Sequence, residues 1–133
     1  MSGWIPTAKG TVMAWECDHM GHMNAQFYVG RIADGASHLR AAMGMTPEVV
    51  RETGRAFIVT EHSMRYRREL HAGGVLRVEA GVLGMGEKTM TVCYRLWNME
   101  TEEVAAISRS VVLASSQIPS LERTRPRTTS RTP

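Results

Sequence analysis

Two hydrophobic periods divide the chain. From Ala25 to Met43 apolar positions return every three or four residues, at Tyr28, Ile32, Gly35/Ala36, Leu39 and Met43. That spacing marks one face of an α-helix. Asn24 stands before it as an N-cap and Gly44 behind it as a C′ residue. Gly30 and Gly35 each cost about 1 kcal/mol of helix propensity relative to Ala, which suggests a helix backbone pressed against something flat. Thr46-Pro47 opens a second, short helix ending near Gly54. Beyond it the period falls to two. Ala56–Glu69 is rich in β-branched and aromatic residues. Leu76, Val78, Ala80 and Val82 alternate with Arg77, Glu79 and Gly81, and Met90, Val92, Tyr94 and Leu96 alternate with Thr91, Cys93 and Arg95. Ala105, Ile107, Val111 and Leu113 close the series. Gly73-Gly74, Gly84/Gly86 and Asn98–Thr101 supply turns. Ahead of the long helix, Lys9–Glu16 partly alternates and reads as a first strand. The expected fold class is α+β: one long helix on a five-stranded antiparallel sheet, the last four strands forming a meander.

Composition changes this picture little. The 133 residues are 43% hydrophobic and 22% charged, ordinary for one globular domain. No apolar run approaches the ~20 residues of a membrane span, and the first residues lack the basic and apolar regions of a secretory signal. Cys17 and Cys93 make no disulfide framework, so a reduced cytoplasmic setting is expected. The net charge of +3 does redirect the reading. Residues 118–133 carry Arg123, Arg125, Arg127 and Arg131 against Glu122, and the preceding 117 residues sum to zero. The expected organisation is a neutral domain over 1–117 with a basic, Pro/Thr-rich tail over 118–133. A nucleic-acid partner would rest on that tail alone, so none is expected.

The chemistry concentrates in Cys17-Asp18-His19-Met20-Gly21-His22-Met23-Asn24, between the first strand and the long helix. A helix N-terminus has unpaired N–H groups and about half a positive charge. A carbonyl placed there is polarised, and the oxyanion formed from it is stabilised. Asp18 can attack such a carbonyl or activate water. Asn24 and the Ala25 backbone N–H are the electrophilic partners, and Gly21 lets the chain turn tightly or lets a substrate approach the backbone closely, as a pocket residue. His22 braces the loop or moves a proton. Tyr28 lies on the helix stripe as core or pocket wall.

Asp18-x-x-Gly21-His22-x-Asn24-x-x-x-Tyr28 resembles the signature of hotdog-fold acyl-CoA thioesterases of the 4-hydroxybenzoyl-CoA thioesterase-like group. Tyr66-Arg67-Arg68-Glu69-Leu70-His71-Ala72-Gly73-Gly74 is similar to a second segment of those families. The resemblance implies metal-independent hydrolysis of an acyl-CoA thioester with no cofactor beyond the substrate's own CoA. Asp18 would serve as nucleophile or general base and the Ala25 N–H as carbonyl donor. It also implies a homodimer or dimer of dimers with the site at a subunit interface. Two departures stand out: Ala25 replaces a frequent second Asn, and Gly74 a frequent Asp. The wording around Trp15, His22-Met23-Asn24 and Arg68-Glu69-Leu70 is similar to a carnitine/betainyl-CoA subgroup. A quaternary ammonium acyl group would need an aromatic cage, for which Trp15, Phe27, Tyr28, Tyr66 and Trp97 are available; a medium or aromatic acyl chain would use the many methionines.

Further candidates follow from residue type. Glu61 and His62 sit mid-strand, so one of them must face inward, and Glu61 is a pocket candidate. Arg65, Arg67 and Arg68 could meet the phosphates of CoA. A metal held by Cys17, Asp18, His19 and His22 is disfavoured by ligand spacing, and so is Cys17 as nucleophile. Two rival functions remain: a non-catalytic acyl-CoA sensor, and a hotdog dehydratase using Asp34 and His38 at i,i+4.

Overall fold

The computed structural model describes residues 3–115. The expected tail over 118–133 and the boundary at 117 lie outside the described residues. The elements run β1 (Trp4–Thr11), a 3₁₀ turn (Ala14–Glu16), α1 (Ala25–Ala42), α2 (Pro47–Thr53), β2 (Ala56–Tyr66), β3 (Val75–Met85), β4 (Thr89–Asn98) and β5 (Glu103–Ser115).

Local chemistry sets the helix limits. The Asn24 side chain accepts the Gln26 N–H at 3.1 Å and starts α1. Gly44, at φ +82°, ends it in the left-handed conformation that a C′ residue needs. Thr46 accepts the Val49 N–H at 3.3 Å, Pro47 occupies the first turn, and Gly54 at φ +73° closes α2. Tyr28, Ile32, Gly35 and Leu39 are the buried stripe of α1.

The first strand departs from expectation. It begins at Trp4 and stops at Thr11, and Ala14–Glu16 is a 3₁₀ turn instead of its continuation. The reason is Glu16. Its carboxylate is buried and accepts the Met13 N–H at 2.8 Å, which curls the chain there.

The sheet order is β1-β3-β4-β5-β2, antiparallel throughout. Only β3-β4-β5 is a meander. β2 pairs with β5, not with β3, so a connection over 67–74 crosses the end of the sheet. Short spacing between β2 and β3 suggested a hairpin. Leu70, 1% exposed, instead anchors the connection in the core, and burying a Leu contributes about 1.5–3 kcal/mol.

Helix α1 lies on the inner face of the sheet against β1, β3 and β4. The β5–β2 half of that face is left without the helix. Gly35 sets the close approach. A Cβ there would stand 2.8 Å from Thr7 Oγ1 and 2.9 Å from Val78 Cγ1. Gly35→Ala is therefore expected to destabilise by roughly 1–3 kcal/mol by overpacking, despite the better helix propensity of Ala. Chemical denaturation of the two proteins checks this, and equal midpoints would refute the close-packing account.

One irregularity in β2 decides which side chains face inward. Val59 pairs with Val112 and Glu61 with Val111, so the register shifts by one residue at Thr60. Such a bulge inverts the alternation beyond it. Val59 and His62 share the inner face with Val112 and Ser110, and Glu61 turns to the outer face with Val111.

Candidate active site

The segment before α1 is a closed loop. Cys17 bridges Met23 across its neck, the Asp18 N–H donates to the His22 carbonyl at 2.9 Å, and the Gly21 N–H to the Asp18 carbonyl at 2.9 Å. Gly21 at φ +80° makes this turn possible. The loop is tied to the 67–74 connection, where the Met23 N–H donates to the Leu70 carbonyl at 2.7 Å and His22 bridges His71. Tyr28 completes the join. Its hydroxyl donates to the Arg68 carbonyl at 3.2 Å and accepts the Leu70 N–H at 3.1 Å. Burial is the chief reason its phenol titrates above the usual value. The two segments that carry the family resemblance therefore meet on one tyrosine hydroxyl.

Between them lies an open cleft of about 350 Å³ lined by Asp18, His22, Met23, Ala25, Tyr28, Tyr66, Arg67, Arg68 and Glu69. Asp18 Oδ1 accepts the Met20 N–H at 2.9 Å and the His22 N–H at 3.3 Å. Both bonds fall on Oδ1, and Oδ2 takes neither. The Met20 N–H is the main reason that the Asp18 carboxyl titrates below the usual value. Slight desolvation opposes it, while the His22 N–H and the nearby His19 and His22 rings reinforce it. The Ala25 N–H opens α1 in the same cleft and, among the described residues, has no backbone acceptor. Asn24 is the N-cap that aims it.

His22 is held from two sides. Its Nδ1 pairs with the Glu69 carboxylate, and its ring meets His71 edge-on at 4.7 Å between centroids. Those contacts make it a brace of the loop. Arg67 and Arg68 stand at the cleft, Arg68 pairing with Glu103 at 3.4 Å. Arg65 pairs with Ile107 on the outer face and does not join them. Glu61 does not join Asp18 either: it lines an outer-face depression with Ser63 and Arg109, whose margin His62 also reaches, for the bulge at Thr60 turned it outward. Asp34 and His38 are both exposed on α1 outside the cleft.

The five aromatics expected as a cage do not converge. Trp15, 72% exposed, packs edge-on against Phe27 at 5.4 Å, and Tyr28 against Tyr66 at 5.3 Å. Trp97 lies on the outer face under the Arg77 guanidinium at 4.7 Å and donates to Glu79 at 2.9 Å. Cys17 Sγ turns back to the Met13 carbonyl at 3.6 Å. Among the described residues no group of three His, Cys, Asp or Glu is placed to hold a metal ion, and no helix is long and apolar enough to cross a membrane.

Sequence reasoning missed the support beneath this loop. Glu16, 4% exposed, pairs with Arg31 from the middle of α1 at 2.8 Å, and Arg31 also donates to the Thr11 carbonyl at 2.6 Å. The Glu16 carbonyl accepts the Asn24 N–H at 2.8 Å. One residue thus fixes both the turn before Asp18 and the cap of α1. No local spacing signals a pair fifteen residues apart; an acid followed by a polar loop was the only trace.

A long helix across an antiparallel sheet, with a carboxylate beside the helix N-terminus, defines a hotdog-fold protein of the thioesterase class. The model of the thioesterase-like superfamily matches residues 12–117, and the chain belongs to that family. No curated protein matches. Among solved structures, a Staphylococcus aureus protein in complex with CoA is 18% identical, over 84% of this chain and 71% of its own, at a TM-score of 0.78. The DHNA-CoA thioesterase of Staphylococcus aureus is 16% identical, over 93% and 85%, at 0.75. The 1,4-dihydroxy-2-naphthoyl-CoA thioesterase of Synechocystis is 12% identical, over 88% and 85%, at 0.75. These likenesses confirm the hotdog fold.

Proposed function

We propose that this protein hydrolyses acyl-CoA thioesters to the free acid and CoA, with Asp18 as the reacting carboxylate. The observation that carries the reading is the shared cleft of Asp18 and the Ala25 N–H. A thioester carbonyl set against that N–H has its oxygen at the positive end of α1, where charge develops in the transition state. Asp18 lies on the same cleft with Oδ2 unclaimed by the loop. Two routes use this geometry. In one, the carboxylate adds to the carbonyl carbon, CoA leaves as thiolate, and water adds to Asp18 Cγ of the resulting anhydride, expelling the acyl carboxylate. In the other, Asp18 takes a proton from water, which adds directly. Single turnover in heavy-oxygen water separates them, because only the first puts the solvent oxygen into Asp18.

Arg67 and Arg68 are suited to the phosphates of CoA by their fork of donors. The acyl group would run along the inner face of the sheet beside α1. Among the described residues β2 is an edge strand, with Val59 54% and Tyr66 49% exposed. An edge of this kind favours pairing, which supports a homodimer that completes the cleft.

A thiol-reactive dye would follow release of CoA from acetyl-, hexanoyl-, octanoyl-, benzoyl- and betainyl-CoA. Release from at least one ester is expected. Tight binding of the esters with no release would replace this reading by the sensor, and addition of water to crotonyl-CoA would replace it by the dehydratase.

A further inference from the structure

The uncovered half of the inner face forms a trough of about 350 Å³ between one flank of α1 and β2. Its α1 side carries Val29, Ala33, Ala36 and Arg40, and its β2 side Phe57, Val59 and His62. The trough and the Asp18 cleft share no lining residue, but Ala25 and Val29 lie one turn apart on α1 and Tyr66 and His62 lie on one face of β2, so the two are neighbours along the same helix and strand. From Ala25 to Ala33 the helix rises about 12 Å. From Tyr66 to His62 the strand covers about 13 Å. The two walls thus place His62 at one depth below the thioester position.

His62 is an exposed residue at the margin of this largely apolar trough. It is there because of the bulge at Thr60, which points His62 inward and Glu61 outward. His62 Nε2 and the hydroxyl of fully buried Ser108 are 2.8 Å apart, so the ring is fixed from below. Among the described residues, Nδ1 has no partner. Ser110, 5% exposed, lines the same trough, and its hydroxyl also has no partner among the described residues. That hydroxyl keeps access to the open trough and is available to a ligand there. Arg40 and Tyr94 line the trough as well, and among the described residues no Asp or Glu does. The described lining therefore offers hydrogen-bond donors and a positive charge to an acyl group.

We propose that the trough selects medium-chain acyl groups bearing a carboxylate at the far end, with His62 as the specificity-determining contact and Ser108 as its positioning residue. The proposal deepens the thioesterase reading and rests on it for the placement of the acyl chain. Hydrogen bonds to a charged group make the expected selectivity about 10–100-fold.

The test compares octanoyl-CoA with its ω-carboxy counterpart, suberoyl-CoA, on wild type, His62→Leu and His62→Gln. Wild type is expected to favour suberoyl-CoA in kcat/KM. His62→Leu is expected to reverse the preference through KM, with kcat on octanoyl-CoA retained, and His62→Gln to restore part of it. Affinity for non-hydrolysable thioether analogues of both esters is measured in parallel, so the selectivity is read even if no ester is cleaved. Preference for the alkyl ester in wild type, or an unchanged ratio in His62→Leu, would overturn the proposal while leaving Asp18-dependent hydrolysis standing. A shift in oligomeric state with no change in the ratio would also overturn it, assigning the trough to a second copy of the chain.

Discussion

Asp18→Asn is expected to lower kcat for every acyl-CoA hydrolysed by about 10²–10⁴-fold. The loop should survive the change. The amide oxygen can keep the bonds from Met20 and His22, whose N–H groups now fall on Oδ1, and Gly21 still supplies the turn. What is lost is the negative charge, and with it the nucleophile or base. KM should change little, because the Ala25 N–H and the rest of the cleft remain. Steady-state kinetics beside a thermal melt would measure both quantities, and turnover near wild type in a folded variant would remove Asp18 from the reaction. The low titration of Asp18, caused chiefly by the Met20 N–H, sets the acid limb of kcat/KM. The carboxylate stays charged to below the ordinary Asp value of about 3.9, so activity that depends on it should fall only below that pH.

Arg31→Ala is expected to destabilise the protein by about 3–5 kcal/mol, because it strands the buried Glu16 carboxylate. In the native chain burial pushes the Glu16 pKa up, but the Arg31 hydrogen bond, the Met13 N–H and the Arg31 charge together outweigh it and hold it below the usual value. The sign of the pH effect follows. A depressed carboxylate adds stability above its unfolded pKa, and that stability is lost as pH falls through the folded one. In Arg31→Ala burial dominates instead, the folded pKa rises, and acid relieves the strain by protonating Glu16. The stability gap between the two proteins should therefore be widest near neutral pH and narrow in acid. Urea unfolding across that range measures it; a gap that is constant with pH would place the loss in packing alone.

The sequence made some parts of this molecule legible and hid others for definite reasons. Asn24 and Gly44 bracket α1 because capping is local chemistry, and the structure places the helix at Ala25–Ala42 against the expected Ala25–Met43. Asp18, Gly21 and Ala25 come together because they lie within one loop and one helix turn. The partners of β2 were not readable: a strand shows its period, not its neighbour. Nor was the inward residue of the Glu61-His62 pair, since a bulge leaves no mark in composition. Trp97 looked available for a pocket, and its outer-face position depends on the parity of β4, where the fully buried Leu96 beside it points inward. The Glu16–Arg31 pair was invisible because it joins a turn to the middle of a helix.

The strand order also governs the sequence of events at the ribosome. β2 leaves the exit tunnel before β3 and β4, yet the strand it pairs with is the last of the described strands to be made. β1 likewise waits for β3. Through most of synthesis the β2 backbone carries a row of unanswered N–H and C=O groups, with Phe57 and Val59 open beside them. Closing it against β5 spans the two strands between, a non-local step of the kind that slows folding and exposes a nascent chain to aggregation. A nascent chain stalled before residue 103 should bind a holdase chaperone, and one released after residue 115 should not.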